Sequence, residues 1–241
     1  MRFKLKHHLQ NIRTSEYVKI LILRTIGNFL ILSSVFMIAK TFYKPAREEI
    51  RYFIDNAVKK KYIIADNKHL DEKPTPEKRG LLAKALNINS VEFLVPEDPF
   101  FSIVIPKIGA NAKILANIDT TNEATYLAAL KEGVAHAAGT AFPGEGGHIF
   151  LFAHSTDYFW NVGTYNAVFY LLYKLEKGDE VNLFYKGQRY RYRVIGKIVV
   201  DPSQVEYLTR KTNKEFLTLQ TCWPPGTTLK RLMVFAVRET E

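Results

Sequence analysis

The sequence predicts a mainly β domain, a closed or nearly closed β-barrel with short helices, carried behind an N-terminal transmembrane helix and a juxtamembrane helix. Two observations carry the barrel. From about residue 96 the chain is a succession of short runs rich in β-branched and aromatic residues, separated by Gly-, Pro- and Asp-containing turns. These runs amount to about eight strands, the number that closes a small barrel. The third observation concerns the membrane. Ile20 to Ala39 is predominantly apolar over about the length a bilayer requires.

That apolar segment contains Arg24 and Asn28. Arg24 lies near its start, where a long side chain can snorkel to the headgroups. A cleavable signal peptide is also basic and then apolar, but Lys40-Thr41-Phe42-Tyr43 is a poor cleavage site. The segment therefore reads as an uncleaved anchor, residues 20–39, after a basic segment, residues 1–19, which the charge pattern favours only weakly in the cytoplasm. Arg2, Lys4, Lys6, Arg13 and Lys19 precede it, and Lys40, Lys44, Arg47 and Arg51 follow, so the positive-inside rule is nearly balanced. Residues 40–97 read as a juxtamembrane helix and linker. Pro45 suits a first helical turn, and Ile50, Phe53, Ile54 and Ala57 form an apolar stripe. Asp66 to Arg79 is polar, with Pro74 and Pro76, and Leu81 to Leu86 reads as a short helix.

The barrel domain is expected over residues 98–241. Phe101 to Pro106 and Ala112 to Ile118 read as its first strands. Asn122 to Leu130 is a helix closed by Gly133. His148 to Ala153 is a strand after the turn Pro143-Gly144-Glu145-Gly146-Gly147. Gly163 to Leu175 is partly helical, and Val181 to Tyr185, Tyr190 to Val200, Phe216 to Thr221 and Lys230 to Val237 complete the strands.

Net charge is +10. The basic residues flank the apolar segment rather than forming one stripe, which favours a membrane surface over nucleic acid. The basic and aromatic run Tyr185 to Arg193 reads as a hairpin turning at Gly187, not as an RNA-binding strand. The sequence holds no P-loop and no zinc spacing. Glu123, Glu132 and Glu145 are scattered acids without ligand spacing, so no metal and no cofactor are expected.

Cys222 is the one cysteine of the chain and cannot form an internal disulfide. It is a buried structural thiol, half of an intermolecular bridge, or a nucleophile. A nucleophilic thiol needs a base or cation beside it. Of six histidines, His7 and His8 precede the anchor and His69 lies in the linker. His154 follows a strand, as Cys222 does, and functional groups gather at strand ends. His148 begins the same strand, about 20 Å away if the strand is straight, so the two cannot serve one site. His136 reads as a satisfied, partly buried histidine or a supporting group. The hairpin across Pro224-Pro225-Gly226 brings Arg231 near Cys222, where its fork of donors suits an oxyanion.

In these residues the chain resembles the sortases. The motif Thr218-Leu219-Gln220-Thr221-Cys222, a His after a mid-domain strand (His154) and an Arg on the strand following the Cys (Arg231) occur in the family's order. Ile105-Pro106-Lys107-Ile108-Gly109, His136-Ala137-Ala138-Gly139-Thr140 and Lys177-Gly178-Asp179-Glu180 are further echoes. Ala153 stands where many relatives have Gly, and Trp223 follows the Cys. The resemblance implies an eight-stranded sortase-type β-barrel and a cysteine transpeptidase. Cys222 would attack an LPXTG-like sorting signal between Thr and Gly. His154 would act as acid and base, and Arg231 would hold the substrate and the oxyanion. Thr221 would add a hydroxyl or amide donor, and Trp223 would line the cleft or pack on the barrel rim. The implied partners are sorting-signal proteins and an amine of a cell-wall precursor or pilin, at the outer face of the cell membrane. A membrane-anchored cysteine protease and a non-catalytic wall-binding barrel are the competing readings.

Overall fold

The computed structural model describes residues 2–64, 91–155 and 168–239. It divides into two compact units, residues 1–46 and 47–241. Helix α1, Arg2–Ala57, forms the first unit and opens the second. Within the first, Glu16–Lys40 has a mean hydropathy of 1.9 and is long and apolar enough to cross a membrane. The Thr25 and Ser34 hydroxyls donate to the carbonyls of Leu21 (2.9 Å) and Ile31 (2.8 Å), so these polar groups are satisfied within the helix. Pro45, expected to open a separate helix, lies inside α1 instead. A proline removes one helical hydrogen bond, a loss a helix of this length tolerates.

The second unit is a closed eight-stranded barrel preceded by a small two-stranded sheet. That sheet pairs β1, Lys61–Ile64, with β2, Val91–Leu94, in parallel. Ile64 and Leu94 cover Val104 on the outer wall of the barrel. The barrel strands are β3 (Phe101–Ile105), β4 (Ala110–Ile118), β5 (Val134–Ala137), β6 (His148–Phe152), β7 (Glu180–Tyr185), β8 (Gln188–Val200), β9 (Phe216–Trp223) and β10 (Lys230–Arg238). Their order around the wall is β10-β8-β7-β3-β4-β5-β6-β9, closing back on β10. Two of the pairings are parallel, β4 with β5 and β6 with β9. Each needs a long crossover. Helix α2, Glu123–Glu132, supplies the first. Asn122 caps it by accepting from the Thr125 N–H, and Glu123 suits the positive helix start. Gly133 ends it where a Cβ would lie 2.5 Å from the Lys113 carbonyl oxygen, so the sharp entry into β5 requires glycine.

Alternation along the strands defines two faces. Ile149 and Leu151 of β6, Leu217 and Leu219 of β9, and Leu232 and Val234 of β10 point into the barrel core. Phe150 and Phe152 point outward, where α2 covers them with Ala129 and Leu130. β6 is therefore buried on both faces, which accounts for its unbroken apolar run. The β7–β8 hairpin turns at Lys186 and Gly187, both at positive φ, the backbone that matches strand twist in a two-residue hairpin.

Three strands depart from the expected set: β1, β2 and β5 were not anticipated. Each has four residues, too few for period-2 alternation to show, and all four of β5 are buried. The linker expected at 66–79 and the helix expected at 81–86 lie outside the described residues. Of the partly helical stretch expected over 163–175, Tyr170–Lys174 is a 3-10 helix and residues 163–167 lie outside the description.

Candidate active site

Register alone assembles the site. β9 and β10 are antiparallel, and Cys222 faces Arg231 directly. β9 also runs parallel to β6, with Phe152 beside Gln220. The ladder continues one step, since the Ala153 N–H donates to the Gln220 carbonyl at 3.1 Å. Two residues beyond Phe152 and Gln220 stand His154 and Cys222. All three residues share the outward parity, opposite the core-facing Leu219 and Leu232. They lie in one row across three neighbouring strands, and all three line one groove of about 200 Å³.

The wall of that groove comes from two further segments. Glu123, Tyr126, Leu127 and Leu130 of α2 line one side, and Gly226, Thr227 and Thr228 of the β9–β10 turn line the other. None of these α2 residues was among the site residues read from the sequence. They precede the nucleophile candidate by nearly a hundred positions, and only the parallel crossover at β4–β5 lays their helix beside β6.

Cys222 is half-buried. Burial pushes its thiol pKa up, and the Arg231 charge pulls it down by less, so the net shift is upward. Burial thus favours the neutral thiol. Arg231 is fixed by its neighbours: Nη1 donates to the carbonyls of Thr228 (3.0 Å) and Lys230 (3.1 Å). Its other guanidinium nitrogens have no acceptor among the described residues. Planar donors held in place and left unfilled suit an anionic or carbonyl oxygen.

Thr221 does not offer its hydroxyl to the groove. Its side chain has the opposite parity to Cys222, is 3% exposed, and donates to the Ala153 carbonyl at 2.9 Å. The expected substrate-facing hydroxyl is thus a tie between β9 and the residue before His154. Trp223 shares that inward parity. It packs against the barrel core and against Tyr173, whose ring centroid is 5.3 Å away, and it does not line the groove. Of the two placements open to it, packing on the barrel end is the one observed.

The remaining barrel histidines are elsewhere. His136 is fully buried. The Asn117 N–H donates to its Nδ1 (3.3 Å), so the ring proton sits on Nε2 and donates to the Ala141 carbonyl (3.1 Å). His148 starts β6, at the end away from His154, and its Nε2 meets the Thr218 hydroxyl at 2.8 Å. Burial, with a smaller effect of Arg210, pushes its pKa down to about 4. Among the described residues no group of three or more acidic, His or Cys side chains could hold a metal.

The barrel and its row of three can be set beside known proteins. Sortase D of Bacillus subtilis (strain 168) is 30% identical over 139 residues, which is 56% of this chain and 62% of that protein. The match therefore spans less than two thirds of that relative's length. Among solved structures, sortase C-1 of Actinomyces oris aligns with a TM-score of 0.50 at 32% identity, over 60% of this chain and 76% of that one. Sortase C1 of GBS pilus island 1 aligns at 28% identity and a TM-score of 0.49, over 58% and 64%. The family model of the sortase domain matches residues 103–239, from within β3 to the end of the last strand. That match covers more than half of the sequence, and the chain belongs to the sortase family.

Proposed function

We propose that this chain is a membrane-anchored cysteine transpeptidase that cleaves an LPXTG-like sorting signal between Thr and Gly and transfers the acyl group to an amine. The observation that carries the reading is the single row formed by Cys222 and Arg231 on adjacent strands and His154 just past the end of the neighbouring β6, opening into one groove. His154 takes the thiol proton as the sulfur attacks the Thr carbonyl carbon. Arg231 receives the negative charge that develops on the carbonyl oxygen. Collapse breaks the C–N bond, the leaving Gly amine takes the proton from His154, and a thioester remains on Cys222. An incoming amine, deprotonated by His154, attacks the thioester, and an amide and the free thiol are restored. The acceptor is an amine of a cell-wall precursor or a pilin subunit, on the outer side of the membrane.

Cys222 stands on the outer face of β9 and lines a groove, which supports a nucleophile over a core thiol. Mass spectrometry of the full chain, incubated with LPXTG-like peptides with and without an added amine, tests the reading. The expected product is the peptide's Thr carboxyl joined to the amine. Cys222→Ala is expected to abolish both cleavage and transfer, since no second thiol exists. His154→Ala should cost about 10²- to 10⁴-fold in rate. Free acid alone, in undiminished yield with the amine present, would instead identify a protease.

A further inference from the structure

Trp223 is adjacent to Cys222 yet points the other way, into the end of the barrel. There it meets Tyr173 of the 3-10 helix Tyr170–Lys174, with ring centroids 5.3 Å apart and planes at 52°. The Tyr173 hydroxyl donates to the carboxylate of Glu49 in α1. The same carboxylate pairs with Lys174 at 3.2 Å. The Lys174 ammonium in turn lies over the rings of Tyr52 (5.1 Å) and Tyr173 (4.7 Å). From β8, Lys197 donates to the carbonyls of Tyr173 and Leu175, the latter at 2.8 Å. Tyr173 is thus clamped from the helix on one side and the barrel wall on the other.

We propose that Glu49 and Tyr173 are positioning residues for the nucleophile, acting through Trp223. This rests on the cysteine chemistry proposed above. The physical reason lies in what Trp223 joins. It is the last residue of β9, and the turn that follows carries Gly226, Thr227 and Thr228 along the groove. The Thr228 carbonyl also holds Arg231. A pin at Trp223 therefore fixes the sulfur on one side and the arginine's anchor on the other. Chemistry of this kind tolerates errors of about 0.5 Å, and a misplacement near 1 Å costs up to about 10²-fold in rate. The unit that performs the reaction thereby includes the α1 segment from residue 47 onward, which falls in the same compact unit as the barrel. Aromatic packing at a barrel end also occurs for stability alone, so the test must separate position from folding.

The experiment uses the full chain in detergent. Cys222 is its single thiol, so the rate of alkylation by iodoacetamide reports the sulfur's surroundings directly, whether or not a peptide substrate is in hand. In a Trp160→Phe background, fluorescence reports Trp223 alone. Tyr173→Leu, which removes the ring, and Glu49→Ala, which releases the hydroxyl, are expected to shift Trp223 emission and change the alkylation rate at least about threefold. They should also lower kcat roughly 10-fold with little change in KM. Glu49→Gln, which keeps an acceptor for the hydroxyl, should restore most of each signal. Melting curves identify any variant that fails to fold, and Tyr173→Phe, which keeps the ring, then serves in its place with smaller shifts in the same direction. Wild-type alkylation and emission in folded Tyr173→Leu and Glu49→Ala would overturn the proposal. Normal alkylation and emission shifts with no transpeptidation by any variant or by wild type would instead count against the proposed reaction.

Discussion

The Cys222 sulfur experiences two opposed influences, burial in the barrel wall and the Arg231 charge, and burial wins. Burial favours the neutral thiol, which gives the general-base role proposed for His154 a defined task. Alkylation of Cys222 should rise with pH through a midpoint above the ordinary thiol value of about 8.5. Arg231→Ala should move that midpoint further up, because it removes the stabilising charge; a midpoint that falls would refute this account of the site. Arg231→Lys should not restore transfer lost in Arg231→Ala, since an ammonium lacks the planar fork. His148 offers a separate titration. Its pKa is about 4 in the folded chain, against about 6.5 when unfolded. Between those values the unfolded state holds the extra proton, so stability is lost as pH falls from about 6.5 to about 4. The loss is about 3 kcal/mol at most. Urea unfolding at pH 7 and pH 4.5 should show His148→Gln losing less than wild type over that interval, and equal losses would show that His148 is not the group responsible.

At the scale of elements, β9 organises the site. It pairs with β6 on one edge and β10 on the other, and so alone brings His154 and Arg231 to the same cysteine. The outline of this was legible in the sequence. β9 and β10 are long, β9 alternating in its apolar residues and β10 carrying an unbroken apolar run from Leu232 to Val237, and the turn at Pro224-Pro225-Gly226 makes them antiparallel partners. The parallel partner was not legible, because no turn links β6 to β9 and the chain between them is about sixty residues long. The choice between two placements for Trp223, and the engagement of the Thr221 hydroxyl, were not legible for a related reason. Adjacency in sequence to Cys222 suggested the groove, whereas strand alternation sends both side chains to the opposite face. Glu49, in α1, carried no local signal for its contact with Tyr173, since that contact depends on the closed barrel bringing the Tyr170–Lys174 turn to it. Thr221→Val tests the tie between β9 and β6. It keeps the β-branched shape and leaves the Ala153 carbonyl without its hydroxyl donor, at a cost of about 1–3 kcal/mol. Melting temperature should fall, kcat should fall with it, and Thr221→Ser should recover both. Valine at wild-type stability and rate would mean that the hydroxyl bond contributes nothing.

For the whole molecule, the question is which side of the membrane carries the groove. The charge flanking the apolar stretch barely decides it, with basic residues at both ends. The proposed reaction says more. If the groove carries a thioester that awaits an amine of a cell-wall precursor or an assembling pilin, as proposed above, it must open where that amine is, outside the membrane. The Glu16–Lys40 stretch of α1 is long enough to cross once, so residues before it and the barrel after it lie on opposite sides if it spans. The expected arrangement is a cytoplasmic N-terminus and an external barrel. A reporter that matures only outside the cytoplasm, fused after Glu241, should be active, and one that functions only in the cytoplasm should be silent in the same position. Adding lysines between Ile54 and Lys61 should weaken the external signal by making the second flank more positive. Activity of the cytoplasmic reporter instead would place the groove inside, away from any wall amine, and the transpeptidase reading would then need an intracellular acceptor.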